Sequence, residues 1–213
     1  MTAVLSANKT FEWNLPISEK AADVMRAFGI TVQRLKNNVI NHHCEIKISA
    51  GQVCYITGSS GSGKSVILRE FYNSFAGDEK INIDQIPLPD NTTCVDCVDG
   101  GVLETLKNLS IAGLTDVFCV LNSPANLSDG QKYRYRIAKA LASDKKYIFA
   151  DEFCSNLDRV MAAVISCNIR EHAEKSQKVF ILASAHDDLL SDLRPDVIVI
   201  KHLAGEAEII YKQ

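Results

Sequence analysis

Apolar residues recur along the chain with two periods, and the changes between them predict an alternation of strands and helices. Residues 18–28 place apolar side chains from Ala21 to Phe28 on one helical face, behind an N-cap at Ser18. Residues 1–17 show neither period and are predicted to be an irregular leader. Strands are predicted within 30–57 and 77–102 and at 146–151, 178–184, 196–202 and 206–212, and helices within 58–76 and at 102–113, 128–143 and 157–175.

Strands that alternate with helices over most of the chain predict an α/β fold with a largely parallel core sheet. The 213 residues contain no internal repeat, linker or low-complexity stretch, so a single domain over 1–213 is expected. A hydrophobic content of 46% argues against intrinsic disorder and against a mini-protein held by disulfides.

The charge balance and the cysteines further restrict the binding partners and the cellular location that the sequence predicts. With 23 basic and 26 acidic residues the net charge is −3, which predicts neither nucleic-acid nor membrane binding by the chain as a whole. No apolar run reaches membrane-spanning length, and the N-terminus does not read as a signal peptide. The seven cysteines sit mostly in apolar runs, which favours a cytoplasmic protein. Cys94 and Cys97 form a CxxC that lacks a second ligand pair, so both are predicted to be ordinary strand residues rather than zinc or redox sites.

A glycine-rich loop follows an apolar strand and opens a helix, which is the context of a phosphate-binding P-loop. Successive backbone N–H groups and the helix N-terminus can surround phosphate oxygens there. Lys64 is expected to reach the β- and γ-phosphates, and Ser65 to offer its hydroxyl to Mg²⁺. The predicted nucleotide-binding residues are Gly58, Ser59, Ser60, Gly61, Ser62, Gly63, Lys64 and Ser65.

A second apolar strand ends in two acids, Asp151 and Glu152, 87 residues after Lys64. An acid-ended strand is a weak signal alone, but behind a P-loop it matches the Walker B pattern. Asp151 would hold Mg²⁺ directly or through water. Glu152 would act as the general base that polarises the attacking water.

A third motif stands just before the acid-ended strand and leads into a helix with a basic face. It resembles the LSGGQ signature of ABC-type ATPases, with Asp129 in place of the first glycine. Residues 155–158 resemble the D-loop of that family through Asp158, and His186 resembles its switch histidine, so the ordered motifs cover 58–186. The signature residues are Leu127, Ser128, Asp129, Gly130 and Gln131.

The resemblance implies a P-loop NTPase of the ABC-ATPase type. Its core sheet is mostly parallel, and it adds an N-terminal antiparallel β-subdomain and a helical subdomain, which is reduced here to about 102–143. It implies Mg²⁺-dependent ATP hydrolysis by a homodimer in which two copies dock head to tail around two ATP molecules. Ser128 and Gly130 would then face the γ-phosphate of the partner in trans, and His186 would contact the phosphate in cis. Asp129 is expected to point away from that phosphate.

Two family elements are hard to place in the sequence. For the Q-loop glutamine, Gln85 lies early, and the predicted strand at 92–98 offers only the acids Asp96 and Asp99 near its end. For the aromatic ring that stacks on adenine, the weak candidates are Phe28 and His43.

Residues 51–213 are also similar to stand-alone ABC-type ATPases of prokaryotes and phages, which in some relatives are fused to an acetyltransferase-like domain. A soluble ATPase with an unknown protein partner is therefore the leading expectation. A slow ATP-dependent switch, the ATP-binding subunit of a membrane transporter and a nucleic-acid-processing ATPase remain alternatives. A short helical subdomain argues against the membrane subunit. Four basic residues of the signature helix offer either a nucleic-acid patch or a solvated face: Lys132, Arg134, Arg136 and Lys139.

Overall fold

A computed structural model describes residues 2–203 and 205–212. Met1, Ala204 and Gln213, which belong to the predicted domain over 1–213, lie outside the described residues. The strands are β1 (Thr2–Phe11), β2 (Ile40–Ser49), β3 (Val53–Thr57), β4 (Lys80–Asn82), β5 (Tyr147–Ala150), β6 (Val179–Ala183), β7 (Val197–Ile200) and β8 (Glu208–Tyr211). The helices are α1 (Glu19–Ala27), α2 (Val32–Lys36), α3 (Lys64–Asn73), α4 (Cys94–Cys97), α5 (Val102–Ile111), α6 (Val117–Val120), α7 (Asp129–Ala142), α8 (Arg159–Ser176) and α9 (Leu190–Leu193).

Six strands form the central sheet in the order β4-β5-β6-β3-β7-β8. All neighbouring pairs are parallel except β7 and β8, which run antiparallel. Strands β3, β5 and β6 are buried along their whole length, as expected for parallel strands that are covered on both faces. The predicted α/β fold with a mostly parallel sheet is therefore confirmed.

The N-terminal strands β1 and β2 form a separate antiparallel pair. Along β2, every second residue from His42 to Ile48 is buried, so one face of the pair packs onto the core. This packing closes an apolar cluster between the strand pair, the central sheet and α3, which includes Leu5, Ile46 and Phe71. A second cluster fills the opposite side of the sheet, beneath α5, α7 and α8.

Three local predictions were wrong. The expected leader forms β1, because Leu5 and Ala7 bury themselves opposite the inward residues of β2. Within the expected strand region 30–57, residues 32–36 form α2. Its N-cap is Thr31, whose side chain accepts a hydrogen bond from the N–H of Arg34. The stretch around Cys94 is also helical, for the reason given below.

Helix α1 forms as predicted, with the Ser18 hydroxyl accepting a hydrogen bond from the N–H of Ala21. None of its residues is buried, and Phe28 at its C-terminal end is 75% exposed. The segment between β1 and β2 therefore forms a helical excursion with an apolar face on the surface. No helix within the described residues combines the length and the apolarity that crossing a bilayer requires.

Candidate functional site

The predicted chemistry collects at one edge of the central sheet. Strand β6 lies between β5 and β3, and all three run in the same direction. The carboxyl end of β6 leads to the loop before His186. The carboxyl ends of β5 and β3 lead directly to Asp151 and Gly58. The parallel topology thus brings the P-loop, the acids and the histidine to the same edge, although they are far apart in sequence.

The P-loop is fitted tightly against its surroundings at two glycines. Gly58 has φ +138, and a Cβ on it would lie 2.0 Å from the carbonyl oxygen of Lys201. Gly63 has φ +100, and a Cβ on it would lie 2.0 Å from Cε1 of His42. A larger residue has neither the backbone conformation nor the space at these positions.

Helix α3 begins at Lys64, so its free N–H groups face the loop. Nζ of Lys64 donates hydrogen bonds to the carbonyls of Gly58 at 2.7 Å and Ser59 at 3.0 Å. Ser65 is exposed in the first turn of the helix, and the hydroxyl of the buried Ser62 has no hydrogen-bond partner within the described residues. These groups form a cradle with the chemistry that phosphate oxygens require.

The two acids after β5 lie in a tight turn. Oδ1 of Asp151 accepts the N–H of Glu152 at 3.0 Å, and Glu152 itself has φ +45, which is uncommon for a residue with a side chain. The turn is held by the N–H of Phe153, which donates to the carbonyl of Ala183 at 2.7 Å. The hydroxyl of Ser155 donates to the carbonyl of Glu152 at 2.6 Å. This network fixes the backbone of Glu152, whose side chain is exposed.

The oxygen donors present suit a magnesium ion. Mg²⁺ usually takes one or two carboxylates and completes its shell with water and substrate phosphates. Ser65 and Asp151, the predicted ligands, offer one hydroxyl and one carboxylate.

The signature residues form the start of α7. Ser128 is its N-cap, and Ser128 and Gln131 exchange two hydrogen bonds, with the Ser128 N–H donating to Oε1 of Gln131 at 2.9 Å. This is a capping box. The side chain of Asp129 is 94% exposed and lies 3.9 Å from Nζ of Lys132. Leu127 is buried, and a Cβ on Gly130 would touch Leu157 of the neighbouring loop.

The chain neighbours of Asp158 share a small cavity with His186. The carboxylate of Asp158 caps α8 by accepting the N–H of Met161 at 2.9 Å. Arg159 forms an ion pair with Asp188, two residues after His186. The exposed His186 lines a cavity of about 150 Å³ with Ser155 and Arg159. The structure thus brings the predicted D-loop and the predicted switch histidine into one neighbourhood.

Comparison with known proteins places this architecture. Over its full length the chain superimposes on 99% of MJ0796, a structure described as a dimeric post-hydrolysis state of an ATP-binding cassette bound to ADP and Pi, with a TM-score of 0.69 and 19% identity. The chain folds as an ABC-type ATPase cassette. No protein-family model matches its sequence.

Two relatives found by sequence are described as an ATPase and an ATP-binding protein. The cassette is 27% identical to the alpha-factor-transporting ATPase of Saccharomyces cerevisiae over 232 residues, which cover 87% of this chain and 18% of that protein. It is 24% identical to the methionine import ATP-binding protein MetN of Haemophilus ducreyi over 192 residues, which cover 72% of this chain and 54% of that protein. The cassette therefore spans about half or less of the length of these relatives. The names of these relatives agree with the predicted enzyme class, an ATPase.

The structure places Gln85 beside the acids, where the sequence left the Q-loop open. Gln85 ends a 3₁₀ turn (Ile83–Gln85) directly after β4, and β4 pairs with β5. Gln85, Asp84, Asp151 and Glu152 line one cavity of about 380 Å³. Because β4 has only three residues, its alternation was too short to be recognised in the sequence.

Asp96 and Asp99, the acids at the end of the expected strand, do not follow a strand in the structure. The expected strand at 92–98 is α4, because the Thr93 hydroxyl accepts the N–H of Asp96 and starts a helical turn. Cys94 is buried, and Cys97 is half-buried. Both thiols are free, and burial raises the pKa of Cys94 to about 12. The prediction that these two cysteines lie in a strand was wrong.

The two adenine candidates, Phe28 and His43, are both exposed. Phe28 lines a surface cavity together with other residues of the excursion between β1 and β2, and His43 lies on the exposed face of β2. Phe11, which the sequence analysis missed, ends β1 with its ring edge-on to His42 at 5.7 Å, and His42 touches Gly63. Phe11 is therefore the aromatic side chain that the structure connects to the nucleotide loop. Its position beside His42 becomes apparent only from the pairing of β1 with β2.

The basic side chains of α7 bind groups of their own chain. Arg134 donates to the carbonyl of Gly113 at 2.9 Å, and Arg136 donates to that of Ile86 at 3.0 Å. Lys139 forms an ion pair with Asp99 at 2.9 Å. These contacts hold the helix in place, and they do not support a nucleic-acid patch on this face.

Proposed function

We propose that the chain binds and hydrolyses Mg·ATP, and that ATP drives two copies together head to tail so that the cassette acts as a mechanical switch. The observation that carries this proposal is the convergence of the P-loop, the two acids after β5 and His186 at one edge of the sheet. The exposed start of α7 supports pairing, because its N-terminal dipole can meet a phosphate supplied by a second copy.

Each residue has one task in this proposal. The P-loop N–H groups and Lys64 bind the phosphates, and Glu152 accepts the proton of the attacking water. Ser65 and Asp151 would hold Mg²⁺, which supplies charge neutralisation at the β- and γ-phosphates. His186 would bind the γ-phosphate in cis, and Ser128 and Gly130 would bind that of the partner. The cytoplasm is the proposed location.

Changing Glu152 to Gln tests the proposal. The amide cannot accept the proton of water, so the variant should bind ATP but not turn it over, and dimers should accumulate with ATP and not with ADP. Light scattering coupled to gel filtration measures the dimer, and Lys64→Ala, which removes the phosphate-binding charge, is the matched control that should stay monomeric. Hydrolysis by Glu152→Gln at the wild-type rate would contradict the assignment of the base. A slow wild-type rate that the variant does not change would indicate a switch with little turnover.

A second candidate function is the ATP-binding part of a transporter. The relatives favour this function, because they are named as transport and import proteins. Their names weaken the sequence-based argument against a membrane subunit as partner. The helical region also exposes large apolar side chains, with Leu103 and Phe118 each 85% exposed. Nearby, Val102 and Val117, which are 69% and 63% exposed, line a cavity of about 760 Å³. ATP hydrolysis that needs no membrane protein and is unchanged in Phe118→Ser would favour the stand-alone ATPase. Kinship with ATPases that carry an acetyltransferase-like domain stays a proposal from sequence resemblance.

A further inference from the structure

The buried imidazole of His42 lies against the P-loop, and the chemistry described above does not use it. His42 is 5% exposed, and its Cε1 and Nδ1 atoms lie 2.0 and 2.5 Å from the point where a Cβ on Gly63 would be. Gly63 is the N-cap of α3, the helix whose first N–H groups face the phosphates. The ring therefore touches the backbone where a bound phosphate chain would begin its contacts.

An unmet hydrogen bond marks the same ring. Nδ1 of His42 is buried and has no hydrogen-bond partner within the described residues. Buried polar atoms without partners are rare because they lose their hydration without replacement. The imidazole lies between the ring of Phe11, 5.7 Å away, and the P-loop. A ligand that extends from Phe11 to Gly63 would pass over it.

Three lysines lie on the elements that surround His42. Lys201, only 1% exposed, follows β7 and donates from Nζ to the carbonyls of His202 and Gly205 at 2.9 and 2.8 Å. Lys9 is opposite His42 in the β1–β2 register, and Lys64 follows Gly63 on α3. Within residues 2–203 and 205–212, no carboxylate forms an ion pair with Lys9, Lys64 or Lys201.

This environment disfavours the charged imidazolium form of His42. Burial, and after it the charge of Lys201, lowers the pKa of His42 below its ordinary value. A polyanion placed beside the ring would act in the opposite direction, because it favours the charged imidazolium and accepts a hydrogen bond from it.

We propose that His42 contacts the anionic part of the nucleotide beside Gly63 and takes up a proton as the nucleotide binds. The inference rests on the proposed function, because it takes the ligand of the P-loop to be a nucleotide. Its consequence is that nucleotide affinity rises as the pH falls through the pKa that His42 has in the complex. A histidine that only fills space against Gly63 would produce no such dependence.

The test compares the affinity for ADP of the wild type, His42→Gln and His42→Phe by calorimetry between about pH 8 and about pH 6. Gln retains a hydrogen-bonding side chain that does not titrate, and Phe retains the ring volume. For each pH unit over which a full proton is taken up, the wild-type Kd should fall by up to about tenfold relative to either variant. The phosphates of ADP titrate equally in all three proteins, so the difference isolates His42. His172→Gln, on α8 beside Phe180 at the other end of β6, is the matched control and should behave as the wild type.

A second measurement does not depend on the variants folding. Nuclear magnetic resonance of the wild type with labelled histidine follows the Cε1 proton of His42 against pH, and its pKa should rise when ADP is added. A pKa that is unchanged or lowered by ADP would overturn the inference, as would parallel affinity profiles in the wild type and His42→Gln. If the wild type binds no ADP at any pH, the proposed function itself fails.

Discussion

The carboxylate of Asp84 accepts a hydrogen bond from the backbone N–H of Asp151 at 2.8 Å and so ties the end of β4 to the end of β5. Burial raises the pKa of Asp84, this hydrogen bond lowers it, and the neighbouring charge of Asp151 raises it again. Asp84 therefore belongs to a cluster of acidic side chains at the sheet edge, together with the proposed metal ligand Asp151 and the proposed base Glu152.

Replacing Asp84 should separate its two contributions. Asp84→Ala removes the acceptor for the Asp151 N–H, and we expect it to lower the free energy of unfolding by about 0.5–1.5 kcal/mol and to reduce ATP turnover. Asp84→Asn keeps an acceptor oxygen and should retain most of the stability. Urea unfolding and steady-state hydrolysis measure both effects. Equal stability losses in the two variants would show that the hydrogen bond is not what Asp84 contributes.

Gly63→Ala should disturb the P-loop through a collision with His42. The new Cβ would lie 2.0 Å from Cε1 of the ring, and the backbone has φ +100. Overpacking of this kind costs about 1–3 kcal/mol, and the left-handed conformation adds about 1–2 kcal/mol. Thermal unfolding and ADP binding would report the loss. Gly61→Ala is the matched control, because Gly61 has φ +77 but nothing within 4 Å of its Cβ position, so it should show the backbone cost alone. Equal losses in both variants would rule out the collision.

The elements that could be predicted from sequence are those whose signal is local. The P-loop and the acids after β5 each follow a fully buried strand, and α7 begins at a side-chain cap, so their patterns are strong within ten or fewer residues. Strand β1 has a weak alternation of small residues and takes its form from pairing with β2. At α4, a run of β-branched and apolar residues favoured a strand, and the cap at Thr93 decided for a helical turn.

The same distinction explains which site residues were missed. Gln85 follows a strand of three residues and gains its place only through the pairing of β4 with β5. His42 reaches the P-loop from the antiparallel pair, and Phe11 packs edge-on against His42, contacts that no spacing in the sequence reveals. Residues that act through their own loop are thus predictable, whereas residues that reach a loop from another element are not.

Stability should fall in mild acid because of His172. Burial, followed by the charges of Lys178, Lys107 and Lys175, lowers the pKa of His172 from 6.5 to about 4. Between these two values the unfolded chain binds the proton and the folded chain does not, so the stability supplied by the neutral imidazole is present above about pH 6.5 and is lost as the pH falls toward about 4. The linkage amounts to about 2–3 kcal/mol for this residue.

Urea unfolding at several pH values measures this loss. His172→Gln should show a flatter decline between about pH 6.5 and about pH 4, because the amide does not titrate. His202→Gln is the matched control, since the side chain of His202 is 59% exposed, and its profile should follow the wild type. An identical slope in wild type and His172→Gln would contradict the prediction.

Ser128→Arg should separate a head-to-tail dimer from a monomeric P-loop enzyme. Ser128 caps α7 and would lie outside the nucleotide site of its own chain, so ATP binding by the monomer should persist. The long charged side chain would occupy the place of the partner's γ-phosphate, and we expect hydrolysis and ATP-driven dimerisation to collapse together. Loss of the cap costs about 1 kcal/mol, and Ser128→Ala, which removes the cap without adding bulk or charge, shows how much that loss contributes.

Mixing Ser128→Arg with Lys64→Ala tests whether the contact is made in trans. Each variant should be inactive alone, because every composite site in its homodimer carries the lesion. A mixed dimer has one site with both lesions and one site that pairs the intact Lys64 of one chain with the intact Ser128 of the other. Hydrolysis by the mixture above the sum of the separate proteins would therefore require that two chains share a site. Full activity of Ser128→Arg alone would show that the start of α7 never meets a phosphate, and the head-to-tail pairing would have to be abandoned while the P-loop assignment stood.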